Sequence, residues 1–207
     1  ESCPVVIVAV PIAATLDVIQ SVGPHLPKDA LLMDFTSLKE APVRAMLEAT
    51  TAEVVGCHPL FGPDCPSIAG QNVILCPGRG ERWLKRMEGL FTKGGARVTV
   101  TTPAEHDRMM SLVQGLTHLE TILMGLTLRN AGVEASALDP FSTPVFRTKQ
   151  AIVERVFDAR PELYAGLIAG NGNMPKILEI YEKNLSALKR LILAGDAAGI
   201  TALIRKP

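Results

Sequence analysis

The chain has no excess of charge of either sign and few aromatic residues. Lysine plus arginine and aspartate plus glutamate each number 21, which gives a formal net charge of zero, and aromatic side chains make up 4%. Because no basic run stands out, the sequence argues against nucleic acid or an anionic membrane as the main partner. We therefore expect the partner to be a small molecule.

Cysteine is scarce, and its spacing is not that of a metal site or a redox pair. Cys3, Cys57, Cys65 and Cys76 contain no Cys-x-x-Cys pair, and three of them lie beside apolar stretches, as reduced buried thiols do. We predict a cytoplasmic protein. Metal binding is not expected, because Cys57 and His58 are strand neighbours whose side chains point to opposite faces.

Long hydrophobic runs are also missing. The longest, residues 4–14, contains two prolines and is too short to span a bilayer, and nothing before it resembles a charged signal peptide. We expect a soluble protein with no membrane partner. The 47% hydrophobic content over 207 residues is sufficient for a buried core.

The order of apolar patterns predicts an α/β fold followed by an all-α region. Up to residue 101, strand-like and helix-like stretches alternate, which is typical of a mostly parallel, partial Rossmann-like sheet. The predicted strands cover residues 5–10, 30–35, 53–57, 73–76 and 97–100, and the predicted helices between them cover residues 13–22, 40–49 and 81–91.

Residues 102–207 are predicted to form a second, helical domain. Its first helix opens with Thr-Pro-Ala-Glu at residues 102–105, a capping box with proline at the first helical position, and extends to Asn130. The many apolar positions on five helices of modest size indicate that a partner chain buries one face, so we expect a homodimer.

The most informative segment is His-Pro-Leu-Phe-Gly-Pro-Asp at residues 58–64. It follows the apolar run 54–57, and its prolines and glycine predict a shaped turn at the carboxyl end of a strand, where open α/β sheets bind ligands. An imidazole placed there can accept a proton near neutral pH. A purely structural histidine is the alternative.

A second turn, residues 34–40, leaves the preceding strand and enters a helix. Ser37 and Glu40 have the spacing of a capping box, so one interpretation is helix capping alone. The other is that Ser37, Lys39 and His58 converge in one crevice, provided that the two strands are neighbours in the sheet.

In the long helix, Met110, Gln114 and His118 recur at intervals of four and are predicted to share one face. This leaves the polar side chains of Gln114 and His118 among apolar residues. One interpretation is that His118 is a buried core histidine with its hydrogen bonds satisfied, and the other is that the two side chains form a wall for a polar ligand. His106 and Asp107, in the first turn, are predicted to be exposed.

Arg147 and Arg155 are eight residues apart in a helical stretch, so we predict that they lie on one face. Their guanidinium groups suit bidentate binding of a carboxylate. Solvated surface arginines are the alternative, since most arginines are of that kind.

Taken in order, these motifs resemble those of prephenate dehydrogenases, most closely the enterobacterial type that is fused to chorismate mutase. The matching segments are residues 6–12, Asp34-x-x-Ser37-x-Lys39, residues 58–64, Glu105-His106-Asp107, Gln114-x-x-x-His118, Thr143-Pro144-x-x-Arg147 with Arg155, and Pro161-x-x-Tyr164. The resemblance implies a nucleotide-binding domain at residues 1–101 and a substrate-binding and dimerisation domain at residues 102–207. It also implies oxidative decarboxylation of prephenate to 4-hydroxyphenylpyruvate with NAD or NADP, a step of tyrosine biosynthesis.

The resemblance further implies roles for single residues. His58 would draw the proton of the ring hydroxyl of prephenate, and Ser37 would orient that hydroxyl. Arg155, with Arg147, would hold a substrate carboxylate. The remaining implied contacts are Lys39, Gln114 and His118 in the polar substrate wall, and Val10 and Pro11, together with Ser37, in the cofactor wall.

One feature of the family has no counterpart in these 207 residues. No Gly-x-Gly-x-x-Gly turn, which holds the pyrophosphate at a helix N-terminus, is present. We expect tight cofactor binding to need such a turn, and the chain to be a fragment of a longer enzyme or a natural protein without the activity. An arogenate dehydrogenase, or a non-catalytic ligand-binding or dimerisation module, are the alternative functions.

Overall fold

The computed structural model of the chain describes residues 3–62, 64–159 and 161–205. Within these residues, five strands form one sheet. The strands are β1 (Val5–Val8), β2 (Leu31–Asp34), β3 (Glu53–Pro59), β4 (Asn72–Arg79) and β5 (Arg97–Val100).

The strands lie side by side in the order in which they occur along the chain. The pairs β1–β2, β2–β3 and β4–β5 are parallel, and β3–β4 is antiparallel. The prediction of a mostly parallel sheet is therefore confirmed. The reversal at β4 follows from the connection before it, because the described residues of this connection, 60–62 and 64–71, contain no crossover helix to carry the chain back to the start of the sheet.

Three predicted strand ends were wrong. β4 ends at Arg79 and not at residue 76. β1 ends at Val8 and not at residue 10, and β3 continues through His58 to Pro59, so that His58 lies inside the strand and not after it. The extension has a physical cause, since Ile74 and Val73 of β4 pair with His58 and Pro59. A single sequence does not show the pairing partner that prolongs a strand.

Both faces of the sheet are covered. The helices that follow its strands are α1 (Ile12–Val22), α2 (Glu40–Ala49) and α3 (Arg82–Lys93). On one face, Leu32 and Val54 pack with residues of α1 and α2, while on the other face Met33 and Val55 pack with Trp83 of α3. Continuous apolar runs are typical of strands buried on two sides.

The remaining elements are helical, as predicted. They are α4 (Pro103–Met110), a π-helical turn (Ser111–Leu116), α5 (Thr117–Asn130), α6 (Ala135–Leu138), a 3-10 turn (Asp139–Phe141), α7 (Pro144–Glu154), a second π-helical turn (Arg155–Ala159), α8 (Pro161–Gly170), α9 (Met174–Leu193) and α10 (Ala197–Arg205). Thr102 caps α4 as expected, because its side chain accepts a hydrogen bond from the backbone N–H of Glu105 at 3.2 Å. The Glu105 carboxylate binds Arg108.

No helix in the described part of the chain has both the length and the apolar character needed to cross a bilayer.

Candidate active site

The centre of the candidate site is a pair of buried histidines from two different elements. His58 on β3 and His106 on α4 are 4% and 1% exposed. Nδ1 of His58 lies 2.9 Å from Nε2 of His106, and the two rings meet edge to face with their centroids 5.1 Å apart. The end of the sheet and the beginning of the helical region therefore share one hydrogen-bonded site.

Asp107 connects this pair to α2. Its Oδ1 accepts hydrogen bonds from Nδ1 of His106 at 2.7 Å and from the backbone N–H of Lys39 at 2.8 Å, and its Oδ2 accepts one from the backbone N–H of Glu40 at 2.9 Å. The carboxylate thus caps α2, because the first amides of a helix have no partner within the helix. The predicted capping of this helix by Ser37 was wrong, since the N-terminal position is Lys39 and no side chain of this turn caps it.

A buried ion pair supports the other side of the site. The Lys39 side chain is fully buried. Its ammonium donates to the Asp34 carboxylate and, at 2.9 Å, to the backbone carbonyl of Cys57. Thr36 also donates its backbone N–H to Asp34 Oδ2 at 3.0 Å. Lys39 therefore joins the carboxyl ends of β2 and β3 through its ammonium, the group that the resemblance placed in the substrate wall.

The surroundings of His58 keep its imidazole neutral. Burial, then the neighbouring His106 and the Lys39 cation, lower the pKa of His58 to about 3, and Asp107 opposes them only in part. Burial similarly raises the pKa of the Cys57 thiol to about 12. At neutral pH His58 is consequently an uncharged base, and Cys57 is an unreactive thiol.

The pKa of Asp107 is lowered although burial acts in the opposite direction. Burial raises it, but the hydrogen bonds from His106 and from the backbone of Glu40 and Lys39 outweigh that effect. The carboxylate is therefore ionised near neutral pH and serves only as an acceptor.

A cavity of about 680 Å³ opens at the carboxyl ends of β1 and β2, and Thr36, which binds Asp34, lies in its wall. Its walls are residues 9–13, residues 35–37 and three residues of α8, namely Glu162, Leu163 and Gly166. Val10, Pro11 and Ser37, which were predicted to line the cofactor site, all belong to this cavity. Helix α8 closes the side that the sheet leaves open.

The predicted polar wall on the long helix is partly assembled. His118 is half-buried and its ring lies edge to face against Tyr164 of α8, with centroids 4.8 Å apart. Burial, followed by the charge of Arg155, lowers the pKa of His118. Gln114 lies in the π-helical turn, and its Oε1 is buried with no hydrogen-bond partner in the described part of the chain. The π turn interrupts the α-helical spacing from which a common face was predicted.

Arg147 and Arg155 are both exposed. Arg155 is close enough to His118 to affect its titration, whereas Arg147, in the first turns of α7, points a guanidinium nitrogen at the carbonyl of Asp139 at 3.5 Å. The roles of both arginines in substrate binding stay predictions.

Three buried residues of the site were not predicted from the sequence. His106 and Asp107 were predicted to be exposed and are buried at the centre of the site. That prediction was wrong because α2 and the α8–α9 turn pack over the first turn of α4, which its amphipathic pattern does not reveal. Asn171 is also buried, and its amide donates to the backbone carbonyl of Asp107 at 2.7 Å. Asp34 had a visible signal, since it is a carboxylate directly after three apolar residues.

Residues 1–100 match the family model described as prephenate dehydrogenase, nucleotide-binding domain, and residues 102–206 match the model described as prephenate dehydrogenase, dimerization domain. The chain belongs to the prephenate dehydrogenase family.

Curated relatives from this family cover nearly the whole chain. A T-protein of Haemophilus influenzae is 38% identical over 205 residues, 98% of this chain and 54% of that protein. A probable arogenate/prephenate dehydrogenase of Methanocaldococcus jannaschii is 35% identical over 207 residues, 98% of this chain and 46% of that protein. The chain thus spans about half the length of the curated relatives it matches.

The fold also matches solved structures. Prephenate dehydrogenase of Aquifex aeolicus, in complex with hydroxyphenyl propionate and NAD+, superposes with a TM-score of 0.81 at 23% identity, covering 98% of this chain and 73% of that one. Synechocystis arogenate dehydrogenase superposes with a TM-score of 0.76 at 20% identity, covering 98% of this chain and 76% of that one. The α/β sheet followed by a helical domain is therefore the family fold.

Proposed function

We propose that the protein oxidises and decarboxylates prephenate to 4-hydroxyphenylpyruvate in tyrosine biosynthesis, with NAD or NADP as hydride acceptor. The observation that carries the proposal is the neutral, buried imidazole of His58. Its Nδ1 is bound to His106, and no described residue forms a hydrogen bond with its Nε2. The family match along both parts of the chain supports the same assignment.

In this proposal His58 acts on the ring hydroxyl of prephenate. Its Nε2 accepts a hydrogen bond from that hydroxyl and draws the proton as hydride leaves the same carbon. Loss of carbon dioxide then makes the ring aromatic. Because the product is a phenol, the imidazole returns the proton to the same oxygen at the end of the reaction.

The residues around the large cavity fit one wall of a dinucleotide site. Val10 and Pro11 precede α1, and Ser37 follows β2, so the cavity lies at the carboxyl ends of adjacent parallel strands, where open α/β sheets bind nucleotides. Bound NAD or NADP would supply the hydride acceptor. Ser37 is a polar side chain in the wall of this cavity. We assign it the role that the resemblance implies, which is to orient the ring hydroxyl of the substrate.

The substrate carboxylates require cations or donors on the helical side. Arg155 is exposed and electrostatically close to His118, so we assign it a bidentate contact with a carboxylate. Gln114 supports a polar ligand as well, because a buried acceptor without a partner is rare in native proteins. Arg147 is assigned a supporting electrostatic role, and Lys39 a role in joining β2 to β3.

We further propose that the chain divides at residues 101 and 102 and that the helical part forms a homodimer. Helices α9 and α10 expose large apolar side chains, including Leu185, Ile192, Leu193 and Ile204, which are 53 to 77% exposed. Several large apolar side chains exposed on two successive helices are typical of an interface. The family description of residues 102–206 as a dimerization domain favours a second copy as the occupant. Sedimentation equilibrium tests it, and a monomer at assay concentration would contradict it.

Arogenate is the second candidate substrate. The relative from M. jannaschii is named for both substrates, and a 26% identical relative from Arabidopsis thaliana is named arogenate dehydrogenase 1. The two substrates share the ring hydroxyl on which His58 would act, so the base does not discriminate between them.

The test is a steady-state assay of the intact protein with prephenate and with arogenate, each with NAD and with NADP, by formation of reduced nicotinamide. We expect turnover with prephenate that His58→Asn lowers by about 10²- to 10⁴-fold, whereas His25→Gln, at an exposed histidine of the α1–β2 connection, leaves it unchanged. Faster turnover of arogenate would favour the second candidate. An intact protein inert in all four combinations would overturn both in favour of a non-catalytic module.

A further inference from the structure

Asp107, His106 and His58 form a continuous hydrogen-bonded line across the boundary between the sheet and the helical region. Asp107 Oδ1 lies 2.7 Å from His106 Nδ1, and His106 Nε2 lies 2.9 Å from His58 Nδ1. All three residues are at most 5% exposed. Little solvent is therefore available to replace these bonds.

The carboxylate of Asp107, at one end of this line, determines which nitrogen donates in each hydrogen bond. An ionised Asp107 has no proton to donate, so Nδ1 of His106 must donate to it. When His106 carries only this proton, its Nε2 presents a lone pair, and Nδ1 of His58 donates to that lone pair. The remaining nitrogen, Nε2 of His58, consequently carries a lone pair.

Asp107 itself is held from three directions. Its two oxygens accept the backbone N–H groups of Lys39 and Glu40, at 2.8 and 2.9 Å, and its backbone carbonyl accepts the amide of Asn171 at 2.7 Å. Neither oxygen is free to turn away from His106 without leaving an amide of α2 unsatisfied. The same carboxylate also fixes the start of α2, two residues after Ser37.

We infer that His106 and Asp107 are positioning residues that hold His58 in its Nδ1–H tautomer, so that its Nε2 presents a lone pair to the substrate hydroxyl. This inference rests on the proposed function for its kinetic consequence. The tautomer itself is a property of the protein without substrate, and it can be measured whether or not the protein turns over prephenate.

The first measurement is nitrogen-15 NMR of the histidine side chains in the intact protein near neutral pH. The 207 residues contain four histidines, and single substitutions assign their signals. We expect a protonated Nδ1 and an unprotonated Nε2 on His58. An Nε2–H form of His58, or a His106 protonated on both nitrogens, would overturn the inference.

Two substitutions at one position test the cause. His106→Phe keeps an aromatic ring but removes the acceptor nitrogen. We therefore expect His58 to shift toward the Nε2–H form, which an unconstrained histidine side chain prefers. His106→Gln keeps an amide oxygen that can accept from His58, so we expect the Nδ1–H form to return. The His25→Gln variant is the control and should leave the His58 signals unchanged. A His58 tautomer indifferent to both His106 variants would overturn the inference.

The kinetic readout separates positioning from general damage to the fold. We expect His106→Phe to lower kcat for prephenate by about 10²-fold with little change in KM, because the tautomer matters as the proton moves, and His106→Gln to recover part of the loss. Equal kcat for the wild type and the Phe variant, with the tautomer changed, would contradict the catalytic consequence. An intact protein without any turnover would refute the proposed function and leave the NMR result standing.

Discussion

The side chain of Lys39 passes directly over Gly56, where a Cβ atom would lie 3.0 Å from Lys39 Cδ. The same Cβ atom would lie 2.6 Å from Cγ2 of Val43. Glycine at this point of β3 leaves the space through which the buried Lys39 ammonium reaches Asp34. A small residue on one strand thus permits an ion pair between the turn after β2 and the end of β2 itself.

The space over Gly56 predicts a stability loss for Gly56→Ala. The added methyl group would force Val43 or Lys39 to move, and overpacking of this kind costs about 1–3 kcal/mol of unfolding free energy. Gly89→Ala is the matched control, because no atom lies within 4 Å of its Cβ position on the exposed face of α3, and helix propensity favours alanine by up to about 1 kcal/mol. Urea denaturation measures both. A Gly56→Ala variant as stable as the wild type would show that the strand relaxes without cost.

The Asp34–Lys39 pair predicts a non-additive response to substitution. Lys39→Met leaves the buried Asp34 carboxylate without its cation, and we expect the unfolding free energy to fall by about 3–5 kcal/mol. Adding Asp34→Asn removes the uncompensated charge, so the double variant should be more stable than Lys39→Met alone. A double-mutant cycle by chemical denaturation tests this, and simple addition of the two single losses would refute the pairing.

The lowered pKa of His58 predicts that stability falls in mild acid. The unfolded imidazole takes up a proton near its ordinary pKa of 6.5, and the folded one only near 3. Below pH 6.5 the unfolded state therefore binds more protons, and the contribution of His58 is lost as the pH falls toward 3, by about 1.4 kcal/mol per pH unit. Between pH 7 and 5 we expect the unfolding free energy of His58→Gln to fall by about 2 kcal/mol less than that of the wild type.

The control for this experiment is His25→Gln. Its unfolding free energy should fall between pH 7 and 5 by the same amount as that of the wild type. Unfolding free energies from urea titrations at several pH values give the slope directly. Parallel slopes for His58→Gln and the wild type would mean that folding does not lower the pKa of His58.

The two helix caps predict an order of stability losses. Thr102→Ala removes one exposed cap of α4 and should cost about 1 kcal/mol. Asp107→Ala leaves the buried backbone amides of Lys39 and Glu40 without acceptors, at about 1–3 kcal/mol each, and it also frees His106. We therefore expect Asp107→Ala to lower the thermal midpoint more than Thr102→Ala, and the reverse order would contradict the capping of α2 by Asp107.

The order of the strands and helices, and most of the candidate site residues, could be predicted from the amino-acid sequence alone. Apolar runs marked the strands, and the change from alternation to continuous helix placed the transition near residue 101, because burial and helical periodicity are local properties of a segment. Position after a strand was enough to put Ser37, Val10 and Pro11 in one cavity. It also singled out His58, although β3 extends one residue past it.

The contacts between polar groups could not be predicted in this way, because they depend on how distant segments pack. No local pattern indicates that His106 and Asp107 are buried, since a helix that begins Pro-Ala-Glu-His-Asp has a polar first turn, and an isolated first turn is exposed. They are buried because α2 presents two unpaired amides there and β3 presents His58, from 67 or 68 and 48 residues away in the chain. Hydrogen-bond partners at such separations depend on how the layers pack. For the same reason, the burial of Lys39 required the space that Gly56 leaves on the neighbouring strand.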